Sequence, residues 1–280
     1  MYESYWGLKE KPFENTPDAR YVYYAPKHEE AFSRILYAVR EKKPAAILTG
    51  EYGTGKTLLT QVLVDELTKD NKYRIASILN PRLSSAELIR EIISQLGSDV
   101  EYSLTKVDLL NILKRTLLNN TETGKHNLII IDEAQTIVDN DVFEELRLLL
   151  NFQFNNKFLL SLILVGQTEL IEKIKSLPHL RQRISVRYHL GALEEPEIKL
   201  YIQHRLRIAG GNQDIFEDNA CKEIYLSSFG LPRQINNICD LALLVGFGKK
   251  VHSINGAIVK QVFDDLEGLF YDQKEKTNKE

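Results

Sequence analysis

Cysteine and long apolar runs are scarce in this sequence of 280 residues. Its two cysteines, Cys221 and Cys239, are too few for a disulfide framework and show no CxxC spacing, so we expect buried thiols in a reducing compartment. The apolar run at residues 159–165 has the length of a strand, far below that of a membrane span. The first residues also lack the basic-then-apolar pattern of a signal peptide. We therefore expect a cytoplasmic protein without membrane insertion.

An excess of positive charge is absent as well. Lys and Arg number 36 against 39 Asp and Glu, which gives a formal net charge of −3 and a pI of about 6.1. A globally basic nucleic-acid-binding protein is thereby excluded, and any DNA contact must come from a local basic patch. The length and the 43% hydrophobic content fit one large domain, or a core domain with a smaller one.

The most informative stretch is residues 45–57, AAILTGEYGTGKT. Gly50, followed after four residues by Gly55-Lys56-Thr57, matches the P-loop spacing without a mismatch. Glycines allow the tight turn in which successive backbone N–H groups point at phosphate oxygens. Lys56 would add positive charge near the β- and γ-phosphates, and the Thr57 hydroxyl would hold Mg²⁺.

A predicted strand and a predicted helix flank this motif and distinguish it from a glycine-rich turn without a ligand. The apolar residues 45–48 predict a short buried strand, and residues 58–68 place their leucines on one helical face. The positive end of the helix dipole therefore adds to the anion site. The site is predicted to bind a nucleoside triphosphate through Gly50, Glu51, Tyr52, Gly53, Thr54, Gly55, Lys56, Thr57 and Leu58.

A second motif, LIIIDE, occupies residues 128–133. Its four consecutive large apolar residues indicate a strand buried on both faces, as in a parallel sheet. Asp132 and Glu133 follow at the carboxyl end of that strand, where open α/β sheets bind ligands. Asp132 suits Mg²⁺ coordination, and Glu133 suits the base that orients the attacking water. The next residues, Ala134-Gln135, could suggest a helicase, but no other helicase element is found.

Five predicted strands alternate with helices, and a purely helical block follows. The strands are residues 45–48, 73–79, 128–131, 158–165 and 184–190, and the later helices are residues 194–209, 216–227, 232–245 and 255–269. This order predicts an α/β domain over residues 1–192 and a helical lid over residues 193–270. The polar residues 271–280 predict a disordered tail.

Residues 1–24 form an aromatic-rich arm, which Pro12 and Pro17 keep from being one continuous helix. The arm either covers the edge of an apolar core or stacks on bases.

Three polar residues after the LIIIDE motif each allow two interpretations. Gln167, at the end of the fourth predicted strand, is either a sensor of the γ-phosphate or a turn residue. Arg181 and Arg183 precede the fifth strand and are either solvated surface charges or a finger that reaches the nucleotide of a neighbouring subunit.

Together with the helix start at Gly230-Leu231-Pro232-Arg233, these motifs resemble those of AAA+ ATPases. More narrowly, the chain resembles the ATPase domain of the ExeA/GspA family of secretion-associated ATPases. The narrower resemblance runs from about residue 2 to residue 268, and its landmarks include Trp6-Gly7-Leu8, Pro12-Phe13, Thr16-Pro17-Asp18, Val165-Gly166-Gln167 and Leu180-Arg181-Gln182-Arg183-Ile184.

The resemblance implies a five-stranded parallel P-loop sheet of order 5-1-4-3-2 and hydrolysis of ATP with Mg²⁺ between subunits of a ring or filament. It also implies that Gln167 is sensor one, that Arg233 is sensor two, and that Arg181 or Arg183 is the arginine finger. Arg183 is preferred because it directly precedes the fifth strand.

Two processes fit such an ATPase. The first is the remodelling or positioning of a protein partner in secretion. ExeA-type proteins continue into a transmembrane segment and a peptidoglycan-binding region, whereas this sequence stops after the lid, so membrane and cell-wall roles are not expected.

The second process is DNA transposition, since the chain is also similar to stand-alone AAA+ regulators of the TnsC and TniB type. Such a protein assembles on duplex DNA and recruits a transposase. The basic residues that favour this alternative are Arg82, Lys173, Lys175, Arg181, Arg183 and Arg187. A scaffold that binds ATP without hydrolysing it is a third alternative, which the intact Glu133 argues against.

Overall fold

The computed structural model describes residues 1–276, with side chains described through residue 266. The strands are β1 (Ala45–Gly50), β2 (Tyr73–Ile78), β3 (His126–Ile131), β4 (Gln153–Phe154), β5 (Lys157–Phe158), β6 (Leu160–Gly166) and β7 (Ile184–Leu190). The helices are α1 (Glu3–Trp6), α2 (Pro26–Arg40), α3 (Lys56–Lys69), α4 (Ser85–Gln95), α5 (Lys106–Glu122), α6 (Asn140–Leu149), α7 (Glu169–Lys175), α8 (Pro178–Arg183), α9 (Glu195–Ile208), α10 (Asp218–Ser228), α11 (Pro232–Lys249) and α12 (Gly256–Lys276).

The chain divides into two compact units. The α/β unit comprises residues 26–52 and 56–190, and the helical unit comprises residues 1–25, 53–55 and those from 191 onward.

Five parallel strands form the sheet of the α/β unit in the order β2-β3-β6-β1-β7. The two-residue strands β4 and β5 pair only with each other, as an antiparallel hairpin. Counted without them, the five strands of the sheet have the order 5-1-4-3-2, which is the order implied by the resemblance. The parallel pairing also confirms the predicted fold class.

Burial explains the sequence of each strand. Every residue of β1, β3 and β6 is buried, because these strands lie inside the sheet and helices cover both faces. Alternate residues of β3 enter different cores. Ile129 and Ile131 pack with α4, α5 and α6, whereas Leu128 and Ile130 pack with α2 and α3. The edge strand β7 is instead buried only at its two ends, and the residues between them alternate between exposed and half-buried.

The hairpin of β4 and β5 was not predicted from the sequence. Its turn consists of Asn155 and Asn156, both in the left-handed region at φ +48° and +59°. This combination is typical of a type I′ turn, which Asn tolerates better than most residues. The signal was therefore present, but strands of two residues give no detectable alternation.

The helical unit contains α9 to α12 and the aromatic arm. Tyr2, Trp6 and Phe13 of the arm are buried with α9 and α11 in one apolar core. The indole N–H of Trp6 donates to the Leu243 carbonyl at 3.0 Å. Tyr2, Trp6 and Phe13 therefore cover an apolar core, which is the first of the two interpretations of the arm. Their ring faces are not exposed for stacking on bases. The arm lies in the helical unit, whereas the sequence analysis places it with residues 1–192.

The last helix also differs from its prediction. α12 continues to Lys276, past residue 270, where the sequence analysis begins a disordered tail. No Gly or Pro follows Gly268 in the sequence, so no residue breaks the helix there. The rest of the predicted tail, residues 277–280, lies outside the described residues. Within the part of the chain that is described, no helix has both the length and the apolarity that crossing a membrane requires.

Candidate active site

The P-loop segment, residues 50–57, connects the end of β1 to the start of α3. β1 ends at Gly50 and α3 begins at Lys56, as the flanking strand and helix predict. Gly53 and Gly55 have φ values of +84° and +97°, which side chains other than glycine rarely adopt. The segment thus has the backbone conformation in which glycines allow N–H groups to surround an anion.

Lys56 lies inside this segment with only 6% of its surface exposed. Its Nζ donates to the carbonyl oxygens of Gly50 and Glu51 at 2.9 and 2.8 Å. Burial lowers the pKa of the Lys56 ammonium, although the nearby carboxylates of Glu133 and Asp132 act in the opposite direction. An ammonium has three N–H donors, so two carbonyls hold the amine in place and leave a donor for a phosphate oxygen.

Asp132 meets Thr57 beside the segment. The Thr57 hydroxyl donates to Asp132 Oδ2 at 2.7 Å, although the two residues lie 75 positions apart. Burial raises the pKa of the Asp132 carboxyl, while hydrogen bonds from the Thr57 hydroxyl and the Glu133 N–H act against that rise. A hydroxyl and a carboxylate side by side are oxygen ligands of the kind that Mg²⁺ prefers.

Mg²⁺ usually keeps several waters and takes one or two carboxylates together with substrate phosphates. Across residues 1–266, no group of three or more His, Cys, Asp or Glu side chains could hold a metal alone. The donor set at Thr57 and Asp132 therefore fits a metal that enters with a nucleotide.

Glu133 has an unusual backbone conformation, with φ at +50° in the left-handed region. Its N–H donates to Asp132 Oδ1 at 2.8 Å. Its carboxylate oxygen Oε2 accepts hydrogen bonds from the side-chain amides of Gln135 and Gln167, the latter at 3.4 Å. Non-glycine residues in this region cost free energy and persist only where the surroundings hold them, often at active sites.

Gln167 directly follows β6, the strand next to β3 in the sheet. Its position at the carboxyl end of the neighbouring strand brings its side-chain amide to 3.4 Å from Glu133 Oε2. Thr168 adds a contact that the sequence did not suggest, since its hydroxyl donates to Glu51 Oε1 at 2.9 Å. Gln135 was likewise missed as a site residue, because its role depends on contacts and not on spacing.

The predicted arginines lie on two helices that follow the cluster residues in the sequence. Arg181 and Arg183 end the short helix α8, and the Arg183 guanidinium donates to Asn151 Oδ1 at 2.7 Å. Arg233 is in the first turn of α11, and its backbone N–H donates to the Gly53 carbonyl at 3.2 Å within the helical unit. The structure thus brings together Lys56, Thr57, Asp132, Glu133 and Gln167 but not the finger candidates, whose predicted role concerns a neighbouring subunit.

Other charges of the predicted basic patch have partners of their own. Lys173 donates to the Ile137 carbonyl, and Lys175 forms an ion pair with Glu172 at 2.7 Å. Arg187 donates to the Arg181 carbonyl at 2.9 Å. Arg82 is exposed in the loop between β2 and α4.

Known proteins resemble this chain in both sequence and fold. Residues 39–174 match the family model of the AAA domain. General secretion pathway protein A of Aeromonas hydrophila is 36% identical over 256 residues, which cover 91% of this chain and 46% of that protein. The chain thus spans about half the length of this curated relative.

Solved structures with a similar fold include two proteins of Aeropyrum pernix. The ORC2 protein, solved as ADPNP-ADP complexes, has a TM-score of 0.66 and 16% identity over 91% of this chain and 71% of its own. The ORC1 protein in complex with DNA has a TM-score of 0.67 and 17% identity over 92% of this chain and 70% of its own. At this level of identity the likeness concerns the fold.

Proposed function

Because the chain is an AAA+ ATPase related to general secretion pathway protein A, we propose that it hydrolyses ATP at sites between the subunits of a homo-oligomer. Hydrolysis then remodels or positions a protein partner of a secretion-type assembly in the cytoplasm. The observation that carries the proposal is the cluster of Lys56, Thr57, Asp132 and Glu133 at the carboxyl ends of β1 and β3.

Each residue of the cluster has a role in this proposal. Lys56 would contact the β- and γ-phosphates, and Thr57 and Asp132 would hold the Mg²⁺, which would neutralise phosphate charge. Glu133 orients the attacking water and accepts its proton. Gln167 senses the γ-phosphate from the end of β6, and Arg233 is the second sensor.

The arginine finger is the part of the proposal that requires an oligomer. Arg183 is the preferred candidate, and in this role its guanidinium stabilises charge on the γ-phosphate bound by the adjacent subunit. Such a finger contributes about 10³–10⁵ in rate, or roughly 4–7 kcal/mol of barrier. We therefore expect Arg183→Ala to bind ATP normally and to hydrolyse it poorly at any protein concentration.

Mixing two inactive variants tests whether the site is shared. Arg183→Ala retains the P-loop segment, and Lys56→Ala retains the finger, so a mixture contains some interfaces with both parts intact. We expect the mixture to regain ATPase activity and the wild-type specific activity to rise with protein concentration. Activity that is independent of concentration, with no recovery on mixing, would show that each subunit hydrolyses ATP alone.

A DNA-binding regulator of transposition is the second candidate, and the exposed Arg82 favours it. Phosphate contacts would make its affinity for duplex DNA fall steeply with salt and depend little on sequence. ATPase activity stimulated by duplex DNA at low salt would support this candidate. Absence of both binding and stimulation with ATP present would leave the protein-remodelling role.

A further inference from the structure

Gln135 lies on the short 3₁₀ turn Ala134–Thr136, two residues after Glu133. Its side-chain amide makes two contacts at once. The Nε2 donates to Glu133 Oε2, and the Oε1 accepts a hydrogen bond of 3.0 Å from the backbone N–H of Gln167. We propose that Gln135 is a positioning residue for ATP hydrolysis, which fixes the Glu133 carboxylate relative to the end of the strand that carries Gln167.

The contacts of Glu133 explain why it needs such a residue. A glutamate side chain has three rotatable bonds, and the strained backbone of Glu133 at φ +50° does not by itself select one orientation of the carboxylate. Gln135 and Gln167 both donate to the same oxygen, Oε2, and Gln135 also binds the Gln167 backbone. The three residues therefore form a closed network, in which two links join side chains and the third runs from the Gln167 backbone, so that the carboxylate and the candidate sensor are held together.

The end of β6 provides space for this amide. A Cβ atom added at Gly166 would lie 2.5 Å from Gln135 Oε1 and 2.9 Å from Leu170 Cδ2. Atoms do not approach so closely without a shift, so any side chain at position 166 would displace Gln135. The absence of a side chain at Gly166 is thus a condition for the contact between Gln135 and Gln167.

The Gln135 side chain donates through its amide nitrogen and accepts through its amide oxygen, so the two contacts together require an amide. An ionised glutamate at position 135 could still accept from the Gln167 N–H, but it could not donate to Glu133. A leucine of similar size could do neither. Gln135→Glu and Gln135→Leu therefore remove one contact and both contacts, respectively.

The proposal predicts a loss of turnover without a loss of binding. A misplacement of about 1 Å in an active site can cost about 10²-fold in rate. We expect Gln135→Leu to lower kcat by about 10- to 100-fold while KM stays within about threefold, because Gln135 contacts Glu133 and the Gln167 backbone and none of the P-loop residues that carry most of the nucleotide contacts in the proposed function. Gly166→Ala should lower kcat in the same way, since it displaces an unaltered Gln135. The matched control is Gln61→Leu, which removes an exposed amide that donates to Asp65 on α3 and should leave kcat unchanged.

The pH profile distinguishes positioning from a purely structural role. The Glu133 carboxylate lies beside position 135 and favours the protonated form of a glutamate placed there. Once protonated, that side chain can donate to Glu133 again. We therefore expect the kcat of Gln135→Glu, relative to wild type at each pH, to rise as the pH falls from 8 to 6. A general loss of structure would lower this ratio or leave it flat.

This inference rests on Glu133 as the base of the proposed function, so Glu133→Gln is measured in parallel. Turnover by Glu133→Gln at the wild-type rate would overturn both the base and its positioning residue. An inactive Glu133→Gln beside a fully active Gln135→Leu would overturn only the role of Gln135. Loss of ATP binding by both Gln135→Leu and Gly166→Ala would also overturn it, because the residue would then support the fold of the site.

Discussion

Acidification should destabilise this protein through one buried histidine. His126 is the first residue of β3 and has 5% of its surface exposed. Its Nε2 lies 2.9 Å from the Ser161 hydroxyl, and its ring packs edge-on against Tyr73. Burial lowers the pKa of His126 to about 4, and the charge of Lys42 contributes in the same direction.

The direction of this pH effect on stability follows from the pKa of His126, which is 6.5 in the unfolded chain and about 4 in the folded chain. Between pH 6.5 and about 4 the unfolded chain binds a proton at His126 and the folded chain does not. The free energy of unfolding therefore falls as the pH is lowered through this window and is unaffected by His126 above it. A difference of about 2.5 pKa units corresponds to about 3.4 kcal/mol in full, and to about 2 kcal/mol at pH 5.

Urea unfolding at pH 8 and at pH 5 measures this term. Other groups also titrate in the window, so the informative quantity is the pH-dependent loss of wild type minus that of His126→Gln, which cannot be protonated. We expect the variant to lose about 2 kcal/mol less than wild type between the two pH values. His179→Gln, which replaces an exposed histidine, is the matched control and should follow wild type. Equal losses in wild type and His126→Gln would refute the reasoning.

Two further substitutions test the P-loop segment. Lys56→Ala should abolish or severely weaken ATP binding, because the phosphates lose the side-chain cation of the segment; near-normal affinity in a nucleotide titration would contradict the assignment. Gly53→Ala should lower the free energy of unfolding by at least about 1–2 kcal/mol, the cost of a left-handed non-glycine residue, since its Cβ would also lie 2.9 Å from the Arg233 Cβ. Urea unfolding measures this free energy, and a Gly53→Ala variant as stable as wild type would contradict the expected backbone strain.

The position of Thr57 beside Asp132 was predictable because it depends on local spacing. Gly50, Lys56 and Thr57 stand at intervals that only a strand–loop–helix segment requires. The apolar run before Asp132 indicated an inner strand, and the carboxyl ends of parallel strands share one edge of the sheet. The contact between Thr57 and Asp132 follows from these two facts.

The tertiary structure decided which side chains complete the site and how the ends of the chain pack. The sequence indicated no position for Gln135 within the site, because its contacts depend on the Gln167 backbone 32 positions away and on the space at Gly166. The aromatic arm could cover any apolar core, and only its contacts with α9 and α11 assign it to the helical unit. Sequence spacing places residues that stand at the ends of recognisable strands and helices. Contacts that depend on the complementary shapes of packed surfaces form only when the chain folds.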